Sequence, residues 1–279
     1  MIDENQFLQD LNQAIDSNRL TLPTLPEVAL KVRDAVEKEN SSANQIADII
    51  ASDAALSARM LQVANSPLYR GRMPIDNLQM AVARLGIRLV RSLVISIIMQ
   101  QIFQATNDLL DAKFHQIWEE SVQIAAFCRV LSSNLNHLDK EQAMLAGLIH
   151  NIGALPVLAM SETQNKLMED PAELDRIIDI LSPQIGQRIL KMWDFPDSLI
   201  DVPANFLNLQ YDSNNDGDYV DVVLVARLQT LMNSERGVDT SEWSQVPSFG
   251  KLGMEPEVNI IEIEGVAEDV QNIEVMFLS

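Results

Sequence analysis

Cysteine is almost missing from this chain. Cys128 stands alone among 279 residues, so no intrachain disulfide can form. It sits in the apolar run Ala125-Ala126-Phe127-Cys128 and reads as a buried small residue rather than a nucleophile. Aromatics are scarce too, at 5%. A core must therefore be built from Leu, Ile, Val, Ala and Met, and apolar residues at 47% are ample for one. The opening Met1-Ile-Asp-Glu has no basic stretch of the kind that starts a secretory leader, so a cytoplasmic location is expected. Uncharged runs of membrane-spanning length are not evident. The best candidate, Leu85 to Phe103, contains Arg88 and Arg91, so no membrane partner is expected.

Positive charge is also short. Lys and Arg number 20 against 40 acids, a formal charge of −20. That balance argues against nonspecific nucleic-acid binding, which works by neutralising phosphates. The charge is unevenly spread. From Arg59 to Arg91 there are six arginines and one acid, Asp76. From Met192 to Ala226 there are seven aspartates and no base. Each run is either a solvated face or, near the arginines, a site for an anion or a partner.

What is present is helical periodicity. Glu27 to Glu39 repeats Val28, Val32 and Val36 at four-residue steps. Ser42 with Gln45 makes a capping-box pattern, and Asp76 with Gln79 a second. Ser52 is placed to cap the helix of Leu56, Met60, Leu61 and Ala64, which Asn65-Ser66-Pro67 stops. After Gly86, Ile87 to about Phe103 is apolar on most sides and belongs at the centre of a domain. Further helices are expected at Ile117–Leu131, Gln142–Ala159, Leu174–Leu181, Ile185–Trp193 and Tyr219–Met232, with a short one from Pro196. Tyr211 to Asp218 is a polar loop without the acidic spacing of an EF-hand. The last forty-odd residues hold ten acids against two bases, with Trp243, Phe249 and Leu252 as anchors. Val258 to Glu264 alternates apolar and acidic residues, which suggests a short strand. This tail is either extra cover for the core or an acidic docking arm.

One site candidate stands out by what it lacks. Gly147-Leu-Ile-His150-Asn151-Ile-Gly153 reads as a buried helix running into a glycine. His followed by Asp there would be half of a metal site. Asn151 is instead a neutral amide, a far weaker ligand for a hard cation.

Two blocks together resemble the HDOD family, the HD-related output domains of bacterial signalling proteins. The first is Leu22-Pro23-Thr-Leu25-Pro26-Glu27, then Asp53-Ala-Ala-Leu56, then Ala64-Asn65-Ser66-Pro-Leu-Tyr69, closing with Leu85-Gly86. The second is Trp118 to Ala125, the His150-Asn151 run, and Ile185-Gly186 through Trp193-Asp-Phe195-Pro196. The resemblance implies an all-α fold of two packed helical bundles related to HD phosphohydrolases. Residues 1–19 are then a helical extension and 20–232 the HDOD domain. Its first bundle runs to about 105, and a degenerate HD-like bundle spans about 106–232. Residues 233–279 form an acidic extension.

The resemblance also implies where HD-type metal ligands would fall. They map onto Glu120, onto His150 and Asn151, onto Ser182, near Asn205, and onto Arg227. Of the family's histidines only His150 is kept, so no catalytic residue, metal or other cofactor is expected, and an Arg227–Glu120 ion pair is a plausible replacement for the metal. His150 then reads as a hydrogen-bonded core residue. Asn65 and Ser66 read as satisfying backbone groups at a helix end, or as part of a partner or ligand surface with Tyr69, Arg70 and Arg72. Arg88 and Arg91, one helical turn apart, are candidates to pair with the aspartate-rich segment or with an anionic ligand. The leading functional reading is a noncatalytic signalling module with a protein partner. Its alternatives are a metal-dependent phosphohydrolase with a much altered site, and a nucleotide-binding sensor.

Overall fold

The computed structural model describes residues 2–37, 42–102, 108–162, 164–213, 216–232 and 240–278. Among them the fold is helical and no strand forms. The expected boundaries near 105 and 233, and Phe103, lie outside the described residues.

The first half comprises α1 (Glu4–Asp16), α2 (Glu27–Glu37), α3 (Ala43–Ala51), α4 (Ala54–Ala64), α5 (Leu78–Leu85) and α6 (Ile87–Ile102). Its helix starts are set by side chains. Ser42 and Gln45 form the capping box read from the sequence. Two other caps shift by one residue. Asp53, not Ser52, accepts from Leu56 N at 2.9 Å, while the Ser52 hydroxyl donates backwards to Ile49 O. Asn77, not Asp76, accepts from Met80 N at 2.8 Å. In each case the side chain with the right offset to the third helical N–H wins.

The central helix is α6. Val90 and every residue from Ser92 to Met99 are buried in it, and Leu93 is wholly enclosed. An all-round apolar helix needs neighbours on all sides. α2, α4 and α5 pack on it from the first half and α8 from the second.

The second half comprises α7 (Asp108–Ser132), α8 (Lys140–Ile149), α9 (Ala154–Ser161), α10 (Asn165–Met168), α11 (Pro171–Met192), α12 (Asp197–Asn205) and α13 (Tyr219–Met232). α14 (Pro247–Lys251) and α15 (Val266–Leu278) follow. Three expectations change here. The helix expected over Gln142–Ala159 is broken between α8 and α9 by the turn at His150–Gly153. The two helices expected on either side of Pro183 are one, because α11 runs through that proline. The strand expected at Val258–Glu264 is a 3₁₀ turn at Ile260–Glu262, since a lone alternating segment has no ladder to join.

By length and composition Lys140–Ser161 could cross a membrane, which Leu85–Phe103 was expected to approach most closely. Most of that stretch is buried inside the fold.

A buried polar cluster joins the halves. Arg129 on α7 reaches Glu141 on α8 with Nη2 at 2.9 Å and Nε at 3.1 Å. The Tyr69 hydroxyl, from the turn after α4, donates to the other Glu141 oxygen at 2.8 Å. Arg129 also lies over the Tyr69 ring, 5.7 Å from its centroid. Burial, reinforced by the Glu141 charge, pushes the Tyr69 hydroxyl well above the usual phenol range.

The tail covers the core. Trp243 and Phe249 stack at 5.9 Å and are buried, and Leu252 is half-buried beside them. α15 lies on α7, with Phe277 edge-on to Trp118. Arg59 on α4 donates to Met276 O at 2.8 Å. The buried Gln229 side chain donates to Val258 O at 2.9 Å and accepts from Ile260 N at 3.0 Å.

Candidate functional site

Helical spacing on α7 puts Lys113, Ile117, Glu120, Ile124 and Phe127 in one stripe. That stripe forms one wall of a cavity of about 600 Å³. Asp175 and Asp179 on α11, Arg227 on α13, and His150 and Asn151 at the turn between α8 and α9 line it as well. Phe206, just past α12, closes one side. Ile261 together with Val270 and Glu274 of α15 closes another.

Two glycines position the His150 turn. A Cβ on Gly147 would lie 2.5 Å from Ala125 Cα, so α8 approaches the α7 backbone directly. A Cβ on Gly153 would lie 2.0 Å from Ser182 O, so α9 can start only where no side chain intervenes. Between them, His150 Nδ1 donates to Gly147 O at 2.6 Å, and its ring meets Phe206 edge-on at 4.9 Å. Burial lowers the His150 pKa to about 4, opposed by the Gly147 bond and aided by the Arg227 charge. The imidazole is therefore neutral at pH 7. Asn151 presents a buried Oδ1 with no hydrogen-bond partner.

Of the six positions matched to HD-type ligands, Glu120, His150, Asn151 and Arg227 meet at the cavity. Ser182 and Asn205 do not line it. Ser182 is buried at the Gly153 contact, and Asn205 Nδ2 donates to Asp201 O at 2.9 Å. The Arg227–Glu120 ion pair does not form. Glu120 is held by Gln116 Nε2 at 2.9 Å, and Arg227 has no ion pair within 4.0 Å among the described residues. Arg227 lies in the field of both Asp179 and Glu120, although burial outweighs them and lowers its pKa. Burial raises the Asp179 pKa, with Arg227 opposing. Lys113 is paired with Asp175 at 2.6 Å.

The residues present do not fit a catalytic divalent ion. Such a site needs three or more protein ligands. Among the described residues no three His, Cys, Asp or Glu side chains are grouped to hold one. One carboxylate, one neutral imidazole, one amide and a guanidinium stand in place of the required set.

The other sequence candidates lie apart from the cavity. Asn65 bonds Leu61 O, Ile75 O and Ile75 N at 2.8–2.9 Å, pinning the loop after α4. Ser66 has a buried hydroxyl without a partner. Tyr69 belongs to the Arg129–Glu141 cluster. Arg70 and Arg72 are exposed. Arg88 and Arg91 line a second cavity of about 320 Å³ with Asp139 and Gln142. Sequence reasoning missed Lys113, Asp175, Asp179 and Glu274. Only the helix packing brings them to the cavity.

The HDOD domain model matches residues 22–206, about two-thirds of the chain. The chain belongs to the HDOD family. The "Putative metal-dependent phosphohydrolase" of Shewanella amazonensis SB2B is 30% identical over 98% of this chain and 99% of that one, with a TM-score of 0.82. An HDOD domain protein of unknown function from Geobacter sulfurreducens shares the fold at 18% identity and a TM-score of 0.74, with 99% of this chain and 100% of that one covered. An uncharacterized protein of Treponema pallidum (strain Nichols) is 26% identical over 204 residues, 68% of this chain. The HDOD chain spans 38% of that relative's length.

Proposed function

We propose that this HDOD protein is a noncatalytic regulatory module of bacterial signal transduction, acting in the cytoplasm through contact with a protein partner. One observation carries the reading. At the positions matched to an HD hydrolase's metal ligands the cavity offers one carboxylate, Glu120, and one imidazole, His150, beside the amide of Asn151 and the guanidinium of Arg227. Metal-assisted phosphoester hydrolysis needs a cation to acidify water and to neutralise phosphate charge. A guanidinium at the position of the closing aspartate repels that cation.

The rival is metal-dependent hydrolysis, favoured by the name of the Shewanella protein. Metal analysis of protein purified without chelator separates the two. It is combined with assays on cyclic dinucleotides, nucleoside phosphates and an aryl phosphate with added Mg²⁺, Mn²⁺ or Fe²⁺. The expected result is substoichiometric metal and no turnover. Stoichiometric metal with turnover that His150→Ala abolishes would replace this reading with the rival.

A further inference from the structure

We propose that the cavity binds a small zwitterion of the α-amino-acid type, its carboxylate on Arg227 and its ammonium on Asp179 and Glu120. This inference rests on the noncatalytic reading, in which no catalytic metal occupies the cavity.

The charge arrangement is the first support. Arg227 is half-buried, and its side chain makes no hydrogen bond or ion pair with a described residue. A guanidinium so placed lacks the anion that would offset its desolvation. Asp179 and Glu120 are near enough to act on it through their fields, yet neither closes to within 4.0 Å. Opposite charges therefore face each other across a gap instead of collapsing into a pair. A ligand bearing both signs, a few bonds apart, fills such a gap.

The balance of charges excludes simpler ligands. Glu120, Asp175, Asp179 and Glu274 line the cavity against only Lys113 and Arg227, and Lys113 is already paired. A nucleotide would set several phosphate charges among four carboxylates, with one guanidinium, unpaired among the described residues, to hold them. A bare amine would leave Arg227 unanswered. The second support is Asn151, whose buried Oδ1 has no donor. An ammonium N–H supplies one. The third is the apolar wall of Ile124, Phe127 and Phe206, which suits an apolar side chain between the charged ends. The volume, about 600 Å³, is of small-molecule size.

The test uses the full chain at pH 7. Each standard amino acid is added singly at about 10 mM, and melting temperature is followed. Those that act are titrated by calorimetry. Phenethylamine, 3-phenylpropionate and AMP serve as the amine alone, the acid alone and the nucleotide. The expected result is a saturable rise in Tm with one or more apolar amino acids. The half-molecules and AMP should bind at least about tenfold more weakly, because each lacks one charge-assisted contact. Arg227→Gln and Asp179→Asn should each lower affinity by about tenfold or more, with helical circular dichroism unchanged. The proposal is overturned if no amino acid shifts Tm, if AMP or a half-molecule binds as well, or if both variants keep full affinity. Failure in metal-free, inactive protein removes the zwitterion and leaves the regulatory reading standing. Stoichiometric metal with turnover removes that reading on separate grounds.

Discussion

Arg129 is buried and Arg227 half-buried, and the two are treated in opposite ways. Arg129 meets Glu141 through two nitrogens, and Tyr69 completes the cluster from the other half of the fold. Arg227 faces Glu120 and Asp179 and pairs with neither. The first arrangement is closed; every charge has its partner, and it holds two bundles in register. The second is open, with its unmet demand turned toward a cavity. Burial of charge alone does not mark a functional site. Charge left without a partner inside a cavity of ligand size is the more telling sign.

The comparison can be broken by experiment, and the closed cluster should give the largest effect. Glu141→Ala leaves Arg129 buried without a counter-charge and Tyr69 without an acceptor. A loss of about 3–5 kcal/mol is expected in urea unfolding. A loss under about 1 kcal/mol would mean that the cluster is no keystone.

Acid probes the open side next. The unfolded chain takes up a proton on His150 near pH 6.5, whereas the folded protein resists until about pH 4. The unfolded state binds more protons across that window, so stability falls as pH drops from 6.5 toward 4. The full effect is ~3 kcal/mol, and above about pH 7 it vanishes. His150→Leu should flatten this limb of the stability–pH curve. An unchanged limb would show that His150 titrates normally and is not enclosed.

The smallest effect sharpens the contrast most. Arg227→Met removes a charge with no ion-pair partner among the described residues, so it should be neutral or stabilise by about 1 kcal/mol in the ligand-free protein. The same change at Arg129 should destabilise. If Arg227→Met instead costs as much as Arg129→Met, the two sites are alike and the contrast fails.

Much of the scaffold was legible in the sequence, because its signals are local. Tyr219–Met232 has in the structure the ends that its apolar pattern gave it. The box of Ser42 and Gln45 needs only a three-residue offset. The misreadings are places where tertiary contact overrode a local signal. Pro183 reads as a stop, yet α11 keeps its course because both flanking turns are buried by neighbours. Residues 142–159 read as continuous, yet Gly153 must meet the backbone at Ser182, and the chain turns there to do so. The cavity was half legible. His150, Asn151, Glu120 and Arg227 could be placed by likeness to a family. Asp179 and Glu274 lie on helices whose polar faces look like any solvated surface until α11 and α15 are docked.

Gln229 has a consequence of a different kind. Its amide holds the tail by the carbonyl of Val258 and the N–H of Ile260. Both groups belong to the main chain, and every residue except proline offers the same pair. The clamp thus recognises a path and ignores spelling. Val258 is free to vary on its exposed side, whereas Ile260 is buried and Asn259 caps the turn that follows. The buried amide at 229 guides the route beside the apolar anchors of the tail, and the acidic character of its exposed positions is left open to other demands.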